Sequence, residues 1–164
     1  MAPLILTVLV VIADQITKFM VVSNINLGEV KYTLLGDFIW ICHVRNNAIG
    51  FSLGSNFPPS VKIVLFIIVP VIILFLLIFF VIKNREFSLF QRWMVAGIIG
   101  GGFGNIIDRI FRAESVVDFI SVKVYGLFGY ERWPTFNVAD MTIVVCTILL
   151  LLSLIFIKSS EGKK

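Results

Sequence analysis

Histidine is almost absent from this chain of 164 residues: there is one, His43, beside two cysteines, Cys42 and Cys146, and only 15% charged residues. Each scarcity closes off a chemistry. A zinc peptidase of the HExxH kind needs two histidines one helical turn apart. A serine triad would have to recruit His43 from inside an extended segment, and no serine sits in an elbow motif. Two cysteines without a CxxC make neither a thiol redox motif nor a disulfide framework, and both suit apolar packing. A charge content this low, beside 59% hydrophobic residues, is more apolar side chain than a soluble domain of this size can bury. Lipid has to serve as its solvent.

What the chain does have is long apolar runs. Four approach the ~20 residues that a hydrocarbon core of ~30 Å demands: 3–22, 61–82, 93–110 and 138–157. We therefore expect an all-α membrane protein, one integral domain of four transmembrane helices over residues 1–164. The first run lacks the basic n-region and small-residue cleavage site of a secretory signal and meets Asp14-Gln15-Ile16-Thr17-Lys18 instead, so it is read as retained. Lys83, Arg85 and Arg92 after the second run, with Lys158, Lys163 and Lys164 in the tail, place both termini in the cytoplasm. The net charge of +4 suits contact with anionic membrane lipids, and without a basic-aromatic stripe no nucleic-acid partner is expected. Two segments remain outside. Residues 30–44 read as a β-hairpin turning at Gly36-Asp37. Residues 111–135 read as a strand over 116–125, then a glycine-punctuated aromatic loop or short helix that could act as a lid.

The polar residues within this apolar chain carry the chemistry. Asp14 and Lys18, four apart, share a helix face and can pair. Lys18 could instead snorkel to the headgroups, but a carboxylate inside a span is costly and marks function or pairing. In the third run Gly97, Gly101, Asn105 and Arg109 form one stripe, and Gly100, Gly104 and Asp108 an adjacent one. Small residues at that spacing let helices approach closely. Asn105, Asp108 and Arg109 fall where the stripe reaches the interface; they can form a helix-terminal charge network, or Arg109 can hold a carboxylate or meet a phosphate or carbonyl.

Asp118 and Asp140, one on the later outer segment and one on the first turn of the last run, have bland readings as a loop charge and a helix-start carboxylate favoured by the dipole. If they converge they form a dyad. Like charges a few Å apart cannot both ionise, so one keeps its proton while the other takes one from water. Such a pair hydrolyses an amide without a covalent intermediate, and neither metal nor cofactor is expected. Two other classes stay open at this point. One is a proton- or ion-coupled transporter using Asp14, Asp108, Asp118 and Asp140 as a relay, although no inverted repeat or broken helix pair is visible. The other is a membrane assembly factor held by the glycine stripes.

Taken in order, Asp14-Gln15-x-Thr17-Lys18, Arg45-Asn46-Asn47 with Gly50-Phe51, Gly104-Asn105-x-x-Asp108-Arg109, Val116-Val117-Asp118-Phe119-Ile120 and Phe136-Asn137-x-Ala139-Asp140 resemble the bacterial lipoprotein signal peptidases, signal peptidase II. The resemblance implies an aspartyl peptidase of the bacterial inner membrane. Its substrate would be a diacylglyceryl-modified prolipoprotein, cut just before the lipidated cysteine. It implies Asp118 and Asp140 as the catalytic pair, with Asp14, Lys18, Asn46, Gly97, Gly101, Asn105, Arg109, Asn137 and Ala139 supporting the site or facing substrate. The hairpin would be the family's β-cradle on the outer leaflet, and the later loop its flexible periplasmic helix. Asn137 and Arg109 are the residues expected to orient the pair, and a monomer is expected. One motif departs. The family's Asn-x-Gly-Ala-Ala-Phe reads here Asn46-Asn47-Ala48-Ile49-Gly50-Phe51, with the glycine, the residue most tolerant of unusual backbone angles, displaced by two.

Overall fold

The computed structural model describes residues 2–48, 54, 56–83, 87–113 and 115–161. Ile49, Gly50 and Phe51 of the first-loop motif, and Arg85, Lys163 and Lys164 of the charge argument, lie outside them. Among the described residues four helices are long and apolar enough to cross a membrane: Leu4–Asn24, Pro59–Lys83, Leu89–Phe111 and Val138–Phe156, the last continuing to Glu161. They are called here the first to fourth spans.

Local chemistry explains where the spans begin and bend. The third starts at Leu89, ahead of the expected 93, because Ser88 and Gln91 close a capping box: Ser88 Oγ accepts the Gln91 amide (3.2 Å) and Gln91 Oε1 accepts the Ser88 amide (3.0 Å). In the second span, Pro70 has no N–H to give the carbonyl of Phe66, four residues back. The wider π-helical segment Val64–Ile68 lies immediately before it and takes up that mismatch.

The third span is the spine. Some 56% of its apolar window is buried inside the protein, against 11–22% in the other three, whose outward faces are left to lipid. Its glycines make the close packing possible on three sides. A Cβ on Gly100 would meet Thr7 and Val10 of the first span, one on Gly102 would meet Leu74 of the second, and one on Gly97 or Gly101 would meet Cys146, Ile143 or the Ala139 carbonyl of the fourth. The glycine stripes are thus packing surfaces, and Gly97 and Gly101 seat the fourth span.

The hairpin forms as expected, β1 over Val30–Leu34 and β2 over Ile39–Asn46, and gains a partner that periodicity could not foretell. Val116–Val122 makes β3, shorter than the expected 116–125, and pairs antiparallel with β2 in a sheet ordered β1-β2-β3. Beyond it Lys123 bridges Arg132, and the expected lid segment holds one 3-10 turn, Leu127–Gly129. The sheet rests on an apolar cluster of Val21, Ile25, Val117 and Phe119, which ties the end of the first span beneath β3. All of this brings β2, β3 and the ends of three spans to one place.

Candidate active site

Asn137 organises that place. It precedes the fourth span, and its side-chain oxygen accepts the Asp140 amide (2.9 Å) while Asp140 Oδ2 accepts the Asn137 amide (3.2 Å), a reciprocal cap of the first turn. The cap leaves the Asn137 amide nitrogen free to donate elsewhere. It reaches Asp118 Oδ1 at 2.7 Å and Asn105 Oδ1 at 3.1 Å. One residue therefore touches both aspartates, and β3 and the fourth span are brought together through it.

Two further asparagines complete the frame. Asn105 of the third span donates to Asp140 Oδ1 at 2.7 Å, and Asn46 of β2 donates to Asp118 Oδ2 at 2.9 Å. Every oxygen of the two carboxylates accepts one N–H, which fixes their planes while leaving acceptor capacity on each. Asp118 is 1% exposed. Burial, and then the neighbouring Asp140 carboxylate, push its pKa up to about 7 against the opposing effect of the Asn46 and Asn137 donors. Both carboxylates open on a cavity of about 640 Å³ whose walls include Phe66, Pro70, Trp133, Phe136 and Ile143.

Behind Asn105 lies a second polar group, entirely buried. Lys18 Nζ sits 2.8 Å from Asp14 Oδ2 and 3.3 Å from Asp108 Oδ2, with all three side chains at 0% exposure. The snorkelling alternative for Lys18 is thereby ruled out, since its ammonium points inward. Lys18 also donates to Asn105 Oδ1 at 3.0 Å. An ammonium has only hydrogens to offer, so this contact turns the Asn105 oxygen toward Lys18 and its NH2 toward Asp140. Asp14 Oδ1 accepts the Ala139 amide at 3.0 Å, and Asp108 accepts the Val117 amide at 2.9 Å and a guanidinium hydrogen of Arg112. Gly104 is required beside them, since a Cβ there would lie 2.6 Å from Asp14 Oδ2.

The expected site residues thus divide. Asn46, Asn105, Asn137, Asp118 and Asp140 converge; Asp14, Lys18 and Ala139 support them from behind; Gly97 and Gly101 do so only by packing. Arg109 differs from expectation. Among the described residues it makes no hydrogen bond to either aspartate; it reaches the Ala48 carbonyl at 3.4 Å and lies over the Phe66 ring at 5.6 Å, lining the cavity. The contact to an aspartate expected of Arg109 is made instead by Asn105. Gln15 was overlooked as a site residue although it stands in the first motif: its amide donates to Asp14, to the Gly104 carbonyl and to Asp108 at 3.0–3.2 Å.

Known proteins are similar to this chain over most of its length. The family described as signal peptidase (SPase) II, peptidase A8, matches residues 6–156. The lipoprotein signal peptidase of Treponema denticola is 45% identical over 153 residues, 93% of this chain and 88% of the relative. That of Treponema pallidum is 44% identical over 97% of this chain and 84% of its own length. The Borreliella burgdorferi lipoprotein signal peptidase is 43% identical over 88% and 84% respectively. A bacterial membrane enzyme solved by the in meso method at 2.3 Å superposes with a TM-score of 0.81 at 31% identity, covering 99% of this chain and 92% of the other. A multi-pass helical architecture, a small antiparallel sheet and sequence similarity at this level agree, and the chain belongs to the signal peptidase II family of bacterial membrane aspartic peptidases.

Proposed function

We propose that this chain, as a single integral domain and a monomer, removes signal peptides from diacylglyceryl-modified prolipoproteins by cutting just before the lipidated cysteine, with Asp118 and Asp140 acting on water. The observation that carries the proposal is the shared asparagine frame: two carboxylates from separate elements held on one apolar cavity, with uncharged amides between them. Asp118, the more buried of the two and with its pKa raised to about 7, carries the proton, which leaves Asp140, lining the same cavity, as the base. Water attacks the scissile carbonyl as Asp140 takes its proton and Asp118 protonates the carbonyl oxygen. Collapse of the resulting diol returns a hydroxyl proton to Asp118, and Asp140 passes its proton to the departing amine. The low-dielectric walls strengthen each of these interactions.

This reading turns the site to the outer leaflet and both termini to the cytoplasm, and Lys83 and Arg92, at the ends of the second and third spans away from the sheet, support it. A diacylglyceryl group then does two things. Each buried CH₂ contributes ~0.8 kcal/mol of anchoring, and the chains hold the scissile bond at the depth of the dyad, so that attack becomes effectively unimolecular. The test is cleavage by purified protein in micelles of one peptide in two forms, with a lipidated and with an unmodified cysteine, both shown to partition. The lipidated form should be cut before the cysteine and much faster. Equal kcat/KM for the two would remove the lipid from the reading, and no cleavage of either would remove the peptidase assignment.

A further inference from the structure

Asp118 takes one of its two donors, Asn46, from β2, and that contact depends on register. A regular ladder continued from Ile41 opposite Ile120 would set His43 opposite Asp118 and turn Asn46 to the other face of the sheet. Instead Val44 lies opposite Asp118 and Asn46 opposite Val116. The difference is one extra residue in β2 at Cys42-His43, a bulge beside the catalytic carboxylate.

His43 holds that bulge away from β3 and onto the end of the first span. Its amide donates to the Glu29 carbonyl (3.1 Å), its carbonyl accepts the Gly28 amide (2.8 Å), and its ring Nδ1 lies 2.9 Å from the carbonyl of Ile25, the residue that ends the first span. A carbonyl can only accept, so Nδ1 bears the hydrogen. His43 is 5% exposed, and among the described residues its buried Nε2 has no hydrogen-bond partner. A side chain of similar size chosen for packing alone would avoid that orphaned atom. The imidazole is explained by the bond it makes through Nδ1.

We propose that His43 is a positioning residue for the reaction: its Nδ1 hydrogen, held by the last carbonyl of the first span, sets the bulge that keeps Asn46 on the Asp118 carboxylate. The inference rests on the reading of Asp118 as the catalytic acid.

Two amide replacements separate this role from bulk and polarity. Asparagine places an N–H where Nδ1 stands, whereas glutamine places one where Nε2 stands. His43→Asn should keep kcat within about twofold, and His43→Gln should lose roughly tenfold, the scale of a hydrogen bond to the charge that develops on Asp118 as it gives up its proton, with KM little changed. Asn46→Ala should lose as much, and the double variant His43→Gln/Asn46→Ala no more than Asn46→Ala alone, because both remove one interaction. Both single losses should also carry the alkaline limb of the kcat/KM profile to higher pH, since a missing donor favours protonated Asp118. The charged groups around it, Asp140 of the fourth span, Lys18 of the first and Arg109 of the third, are the same in all these variants. Equal activity of His43→Asn and His43→Gln, or additive losses in the double variant, overturns the proposal. Should His43→Gln fail to fold in micelles, His43→Asn decides alone: wild-type kcat and pH limb uphold it, and a loss overturns it. Asp118→Asn and Asp140→Asn, run alongside, test the dyad separately, since activity in either removes that reading whatever the His43 variants do.

Discussion

Asp14 and Asp108 lie together with Lys18 between them; Asp118 and Asp140 lie together with Asn137 and Asn105 between them. The same acid, twice paired at one end of the bundle, is joined in the first case by an ammonium and in the second by amides. An ammonium supplies the opposite charge that a buried carboxylate needs, and so builds a fixed support. An amide supplies direction without charge, so the pair it holds must settle its electrostatics by moving a proton. On the proposed reading the first pair belongs to the scaffold and the second to the reaction, and Asn105 is the contact between them.

The comparison breaks most sharply at the catalytic pair. Asp118→Asn and Asp140→Asn keep the shape and hydrogen-bonding frame but cannot exchange the proton. Each should lower kcat by roughly 10²–10⁴-fold or more, with the thermal unfolding profile in micelles preserved; turnover within a few-fold of wild type would move that residue into the scaffold. The next largest effect is opposite in kind. Lys18→Met strands Asp14 and Asp108 without their ammonium and should cost about 3–5 kcal/mol of stability, read as a lowered Tm. Asp14→Asn/Lys18→Met, which removes one charge of each sign, should be the more stable of the two; a double variant less stable than Lys18→Met would show that charge balance is not what the cluster provides.

Gly101→Leu forces a side chain into a place where its Cβ lies 2.5 Å from the Ala139 carbonyl. Overpacking of this kind costs about 1–3 kcal/mol, and it should lower activity as well, because Asn105 and Asp140 are carried on the two helices it pushes apart. A fully active variant with an unchanged Tm would show that the third and fourth spans separate without disturbing the frame. The smallest effect is a shift along the pH axis. With Asp118 near 7, wild-type kcat/KM should fall as pH rises past about 7, where the acid loses its proton. Asn46→Ala, by removing a donor that favours the carboxylate, should move that fall to higher pH, and an unmoved limb would assign it to another group.

Spans, packing stripes and the convergence of Asp118 and Asp140 on one frame were legible in the sequence because each rests on a local period or on a rare residue in an apolar setting: Asp14 and Lys18 four apart, Gly97 and Gly101 four apart, Asp118 and Asp140 where lipid-facing chain has little use for charge. The inward turn of Lys18 was not legible, since spacing says which face a side chain shares and not whether that face meets protein or lipid. Nor was the pairing of β2 with β3, which joins residues some 75 positions apart through a bulge that shifts the register by one. Arg109 stood in the right motif and lines the cavity, but among the described residues the amides of Asn105, Asn46 and Asn137 hold the two acids where an arginine near them suggests a salt link. The Ser88-Gln91 capping box and Gln15 were readable and overlooked.

Asn137 both caps the fourth helix and bridges the two aspartates. Helix ends open and close far more readily than helix middles, and here the end that could fray is the one on which the chemistry stands. Asn137 and Ala139 are fully buried here, and Asp14 accepts the Ala139 amide, so this end is pinned where most helix ends are loose. The bonds that keep the first turn wound and the bonds that aim the two carboxylates share one side chain.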